Sequence, residues 1–148
     1  MTVTPASFGK LPWRERWLLM QAVLLLPLTG AALRVVPLRY LHQVVDRQSR
    51  CLRATDMARA NRIAHMIAAA AEFGPYRASC LPQSLVLQFL LRRAGMRGEM
   101  KYGVRRVNGH VTAHCWIELG GQPLIDSPEV RRQFAVLEPT SAASRWGR

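Results

Sequence analysis

Acidic side chains are scarce in this chain: nine aspartates and glutamates stand against 21 lysines and arginines, a formal charge of +12. That balance excludes an acidic, solvating tail and points to acidic partners. Lysine is nearly absent as well. Nineteen of the 21 bases are arginine, whose planar fork grips carboxylate or phosphate bidentately. Cysteine is also sparse: Cys51, Cys80 and Cys115 are too few, and odd in number, for a disulfide-stapled secreted scaffold, which fits a reducing cytoplasm. The N-terminus lacks the succession of positive start, short apolar core and small-residue cleavage site, so no export signal is expected. Nor is there length for several cores, since 148 residues suit one domain. Hydrophobic residues at 49% and charged residues at 20% are the balance of a packed globule, not of a disordered tail.

The long uncharged stretch, Trp17 to Leu33, sits at the lower edge of the roughly 17 to 25 residues needed to span a bilayer. Pro27, Thr29 and Gly30 interrupt it. No membrane span is therefore predicted; the pattern suggests a buried helix pair, about 13–26 and about 31–45, with Arg34, Arg39 and Arg47 on a polar face. So many leucines could also leave an apolar face for a membrane surface or a docking partner. A third, alanine-rich helix is predicted from Ala54 to about Glu72, closed by Gly74 and Pro75. Ser79 or Cys80 then caps a fourth, with Pro82 in its first turn, Leu81, Leu85, Phe89 and Leu90 on its apolar face, and Gly95 as its stop.

Beyond Gly95 the apolar period changes to two. Met100, Tyr102 and Val104 mark a strand, Asn108-Gly109 a hairpin turn, Val111 to Leu119 a second strand and Gln122 to Asp126 a third. The expectation is one α+β domain over residues 1–148. Its helical part runs over about 13–94, its sheet over about 98–127, and a frayed tail over 139–148.

Cys80, His114 and Asp126 are the residues whose types suit chemistry: a thiol at a helix N-terminus, an imidazole on one strand and a carboxylate on the next make a nucleophile, a base and an orienter. Unpaired amides and the positive end of the helix dipole would favour thiolate at Cys80 and hold an oxyanion. Gln83 and Trp116 are candidate oxyanion or substrate contacts, although a first-turn glutamine is as readily a solvent-facing one. Along the second strand His114 shares a face with Thr112, Trp116 and Glu118, opposite Cys115. If His114 and Asp126 face each other across the hairpin, the loop must hold three residues, Leu119 to Gly121; a two-residue Gly-Gly turn would put Asp126 on the wrong side. Cys51 and Cys115 are read as core.

No metal site is predicted. His110 and His114 would be helical ligand neighbours, but on a strand they stand roughly 13 Å apart, and there is no C-x-x-C pair. No nucleic acid is expected as a partner, because the arginines are scattered along the chain and no zinc-finger or aromatic RNA-binding signature is present.

The run Ser79-Cys80-Leu81-Pro82-Gln83-Ser84-Leu85, then Gly103-Val104-Arg105, then Ala113-His114-Cys115-Trp116-Ile117-Glu118, then Asp126, resembles the transglutaminase-like cysteine peptidases of lasso-peptide biosynthesis, over roughly Trp13 to Glu138. The resemblance implies a papain-like or transglutaminase-like fold and a cytoplasmic peptidase, without cofactor, that removes the leader from a ribosomally made precursor. It makes Cys80 the nucleophile, His114 the general base and acid, and Asp126 the orienter. Cys115 departs from the small alanine common between that histidine and tryptophan. The implied partners are the precursor leader, a separate winged-helix recognition protein, for which the leucine-rich helices before Ala54 are the expected dock, and the macrolactam cyclase. The same three residues would also serve an acyltransferase or true transglutaminase, and a non-catalytic docking protein is the remaining alternative.

Overall fold

The computed structural model describes residues 12–46 and 56–137. Four helices come first: α1 (Trp13–Val35), α2 (Leu38–Asp46), α3 (Met57–Phe73) and α4 (Cys80–Arg93). An antiparallel sheet follows, with β1 (Glu99–Val107), β2 (His110–Leu119), β3 (Gln122–Pro123) and β4 (Ala135–Leu137), and one helical turn, α5 (Val130–Gln133), before the last strand. Its spatial order is β3-β2-β1-β4. The α+β order therefore holds, with α5 and β4 added beyond the predicted end of the sheet. Cys51, expected in the core, and the tail over 139–148 lie outside the described residues.

The predicted break at Pro27 is corrected, because α1 runs straight through it. Leu19, Ala22, Leu26 and Gly30 form one buried stripe against the helices behind, and continuous burial outweighs the backbone bond that an interior proline removes. The chain breaks at Pro37 instead: Val36, the residue before it, is extended at φ −108° and ψ 127°. By length and composition α1 could also cross a membrane, and its outer face leaves Trp17, Met20, Leu24 and Leu28 exposed.

Asp56 caps α3 by accepting the Arg59 backbone N–H at 3.0 Å, so the helix begins at Met57, three residues later than predicted. The many alanines of α3 let it lie close against α1 and α4, burying Ala60, Ala64 and Ala70 beside Ile63 and Ile67. The central helix is α4, with Leu85, Val86, Leu87, Leu90 and Leu91 all buried. It stops at Gly95, whose φ of +80° lets the Met96 N–H return to the Leu91 carbonyl at 2.9 Å.

The Asn108-Gly109 turn takes positive φ at both residues and pairs Gly103 with His114 across β1 and β2. The next turn overturns the predicted three-residue loop. Gly120 and Gly121, at φ +58° and +81°, form a two-residue turn that pairs Leu119 with Gln122 and Glu118 with Pro123. Two adjacent glycines permit the doubly left-handed turn whose twist matches the strands. The predicted third strand is also cut short: after the Leu124 N–H bonds to the Ile117 carbonyl at 3.1 Å, the chain leaves the sheet.

β2 separates two apolar clusters. Ile117 and Leu119 pack with the helices, whereas Trp116, on the other face, packs with Val130 and Phe134. Gly103 lies under the second cluster. A Cβ there would stand 2.7 Å from the Phe134 Cβ and 3.0 Å from the Trp116 ring. Gly103→Ala should therefore cost about 1–3 kcal/mol of stability, read as a lowered midpoint in thermal or urea unfolding.

Candidate active site

Cys80 is the first residue of α4, after Ser79 at the cap. Three amides inside a first helical turn have no intrahelical acceptor, and Pro82 removes one of them, leaving those of Cys80 and Leu81. Cys80, Gln83, His114, Cys115 and Asp126 line one open pocket of about 420 Å³.

The three residues singled out in the sequence meet there, by a route other than the predicted register. With β3 paired as it is, the position opposite Asp126 would be Cys115, not His114. Strand parity does not apply, because Asp126 lies on the bend beyond the ladder, where its carboxylate reaches back to the imidazole. His114 Nε2 donates to Asp126 Oδ1 at 2.7 Å, with about a quarter of each side chain exposed. That bond leaves Nδ1 as the ring nitrogen for the thiol. Burial works against the imidazolium, but the hydrogen bond and charge of Asp126, together with those of Cys80, outweigh it and raise the His114 pKa.

Cys115 is the neighbour that sequence reasoning missed. It is buried as expected for core, but it is also part of the pocket. Its thiol is the foremost of the groups that lower the Cys80 pKa to about 5; burial opposes the shift, and the Cys115 backbone N–H and His114 support it. Serving as that donor, and buried, Cys115 is itself pushed far above the ordinary thiol range. Backbone geometry explains the arrangement. Residues 117 and 119 turn their amide edges toward β3, and so does 115, but β3 has already departed at that level. The vacated edge is taken by α4: the Ser84 hydroxyl donates to the Cys115 carbonyl at 3.3 Å, and the amide meets the Cys80 sulfur. Pro123 marks β3 as an outer strand, because its missing N–H faces away from β2, but the ladder continues past it to Leu124 and the sequence carries no local signal for the departure that follows.

The other two candidates contribute differently. Gln83 Nε2 donates to the Ala78 carbonyl at 2.8 Å, which fixes its amide over the chain entering α4 and leaves one amide hydrogen uncommitted. Trp116 is corrected as an oxyanion donor: it is 1% exposed, and its single donor, Nε1, is spent on Glu118 Oε1 at 2.8 Å. It meets the pocket as a wall, with its ring stacked 6.0 Å from that of His114. Glu118 in turn receives a bidentate grip from Arg131, which holds its carboxylate below the usual range, with burial opposing. Arg131 of α5 thus anchors the tryptophan that backs the imidazole.

A thiol at a helix tip, an imidazole on a strand and a carboxylate behind it, carried on an α+β frame, are the class of arrangement used in cysteine peptidase and acyl-transfer chemistry. A family profile described as the transglutaminase-like superfamily matches residues 22–138, and the chain belongs to that superfamily. No curated protein and no solved structure matches the chain.

Alkylation by iodoacetamide tests the sulfur directly. Cys80 should reach half its plateau rate near pH 5 and stay reactive to neutrality, while buried Cys115 is spared. Cys115→Ala should move the Cys80 midpoint up by about one pH unit, about 1.4 kcal/mol of lost thiolate stabilisation.

Proposed function

We propose that this protein is a cysteine peptidase that removes the leader from a ribosomally synthesised lasso-peptide precursor. The observation that carries the reading is the convergence of Cys80, His114 and Asp126 in one open pocket, with the thiol pKa held near 5. The motifs around the three residues supply the substrate class by resemblance.

In this reading the Cys80 thiolate attacks the scissile carbonyl carbon, and the carbonyl electron pair moves to oxygen. Backbone amides of the first turn of α4 receive that oxyanion, with the uncommitted Gln83 hydrogen as a further donor. As the tetrahedral adduct collapses, imidazolium His114 passes its proton to the departing amine and a thioester remains on Cys80. Neutral His114 then takes a proton from water, whose oxygen attacks the thioester and releases the carboxylate product. Asp126 keeps the ring oriented throughout. The precursor, a separate winged-helix recognition protein and the macrolactam cyclase are the partners of this reaction.

Mass spectrometry of the precursor, incubated with the protein and the recognition protein, checks the reading. Leader cleavage should vanish in folded Cys80→Ala and His114→Ala, and fall by roughly 10²–10⁴-fold in Asp126→Ala, which orients without reacting. Retained cleavage by Cys80→Ala would overturn the assignment. With an added amine, a product heavier by the amine minus water would show transfer in place of hydrolysis.

The pH dependence follows from the two shifts. The thiolate is lost as pH falls through about 5, and the imidazolium is lost as pH rises past a His114 pKa set above its ordinary 6.5. A bell-shaped kcat/KM profile is expected, with its alkaline limb moved to lower pH in Asp126→Asn.

A further inference from the structure

A second groove, of about 610 Å³, lies at the opposite end of α4 from the thiol. Leu18 of α1, Ile63 of α3 and Leu90 of α4 form its floor. Four arginines line it, Arg14, Arg59, Arg62 and Arg93, against one acid, Glu15. Far apart in sequence, they converge because the start of α1, the start of α3 and the end of α4 pack together. Among the described residues none of the four forms an ion pair. Two tryptophans complete the wall, Trp13 at 78% and Trp17 at 58% exposure, large apolar surfaces that the fold leaves in water.

The charge decides what can cover it. Residues 1–11 hold Lys10 and no acid, residues 47–55 hold three arginines and no acid, and residues 138–148 hold two arginines and only Glu138. Those three segments carry one acid between them, and a second copy of so basic a chain, at another +12, would add charge of the same sign. The concave apolar floor and flanking guanidinium forks suit an extended acidic peptide with apolar side chains among its carboxylates.

We propose that this groove is an exosite for an acidic, apolar-containing segment of the peptide substrate. The proposal rests on the peptidase reading and adds to it how the substrate is held. Cys80 and Arg93 begin and end α4, a separation of about 20 Å along the axis. An extended chain covers that in about six residues, so the acidic segment lies six or more residues from the scissile bond.

Binding to the Cys80→Ala protein, which cannot cut, tests the exosite apart from the chemistry. The probe is a fluorescein-labelled twelve-residue peptide with two aspartates and two glutamates around a Leu-Leu pair; its control carries asparagine and glutamine instead. Fluorescence anisotropy at physiological salt should show the acidic probe binding about tenfold tighter than the control or better. Arg62→Glu combined with Arg93→Glu should abolish that preference, and Arg62→Gln with Arg93→Gln should weaken it about tenfold, keeping the test intact if the charge reversal misfolds. Arg106→Glu with Arg132→Glu, the same charge change on the exposed sheet half, should cost less than about twofold. Equal binding of both peptides, equal loss in both reversed pairs, or tighter capture of oligothymidylate or phosphatidylserine vesicles than of the acidic probe would each overturn the exosite. In the protein that retains Cys80, the same Arg62/Arg93 substitutions should leave the iodoacetamide reactivity of Cys80 unchanged; failure of Cys80 to react in the parent protein would sink the peptidase reading while leaving the binding result standing.

Discussion

The early departure of the chain from β2 is the constraint on which the rest of the site depends. The Gly120-Gly121 turn begins a hairpin that lasts only to Leu124, and beyond that level no strand among the described residues pairs with that edge of β2. A longer β3 would bond the Cys115 amide and carbonyl and hold Asp126 opposite Cys115. Because β3 stops, the carboxylate swings to His114 and the tip of α4 takes the free edge. The gap also solves a problem of faces. His114 and Cys115 point to opposite sides of the sheet, yet both act on one sulfur, and only a group at the sheet edge can reach both.

The two sides of β2 then do different work on the same thiol. From the helix side, Cys115 stabilises thiolate through its side chain and its amide; from the other, His114 adds a charge-assisted partner. The imidazole is held by Asp126 at one end and by rings along its flank, Phe134 at 5.2 Å and Trp116 behind it. Trp116 is itself oriented by Glu118, a carboxylate only 2% exposed that would be costly without Arg131. Support for the ring therefore runs from β2 through α5, and Gly103 opposite His114 provides the space in which those rings close up.

Much of this was legible in the sequence because the signals were local. Gly74 and Gly95 end helices, Asn108-Gly109 turns a hairpin, and a cysteine between Ser79 and Leu81 opens a helix, each for reasons contained within a few residues. The alternation along β2 correctly assigned His114, Trp116 and Glu118 to one face. What failed depended on tertiary packing. Pro27 reads as a breaker until the buried stripe from Leu19 to Gly30 is seen to be continuous. The meeting of His114 and Asp126 was inferred from strand parity, which gives no guidance once the chain has left the ladder. Cys115 reads as core because burial and participation in the pocket carry the same apolar signature. The single turn α5 and the three-residue β4 are too short to show a period at all.

Charge placement on α4 links the thiol to the groove. The helix dipole is positive at Cys80 and negative at Arg93, so one end favours a thiolate and the other favours guanidinium groups. Had the arginines gathered at the N-terminal end, they would bring any acidic segment against the thiolate, and the two anions would repel. Separation along the helix lets one basic protein attract a carboxylate-rich chain and still present to the sulfur a neutral carbonyl, the group a thiolate attacks. A substrate held at both ends of α4 would spend its binding energy on alignment, which lowers the entropic cost of reaching the reactive geometry without requiring a deep cleft around the scissile bond. An open pocket at Cys80 and an arginine-lined groove a helix-length away are then complementary parts of one means of recognition.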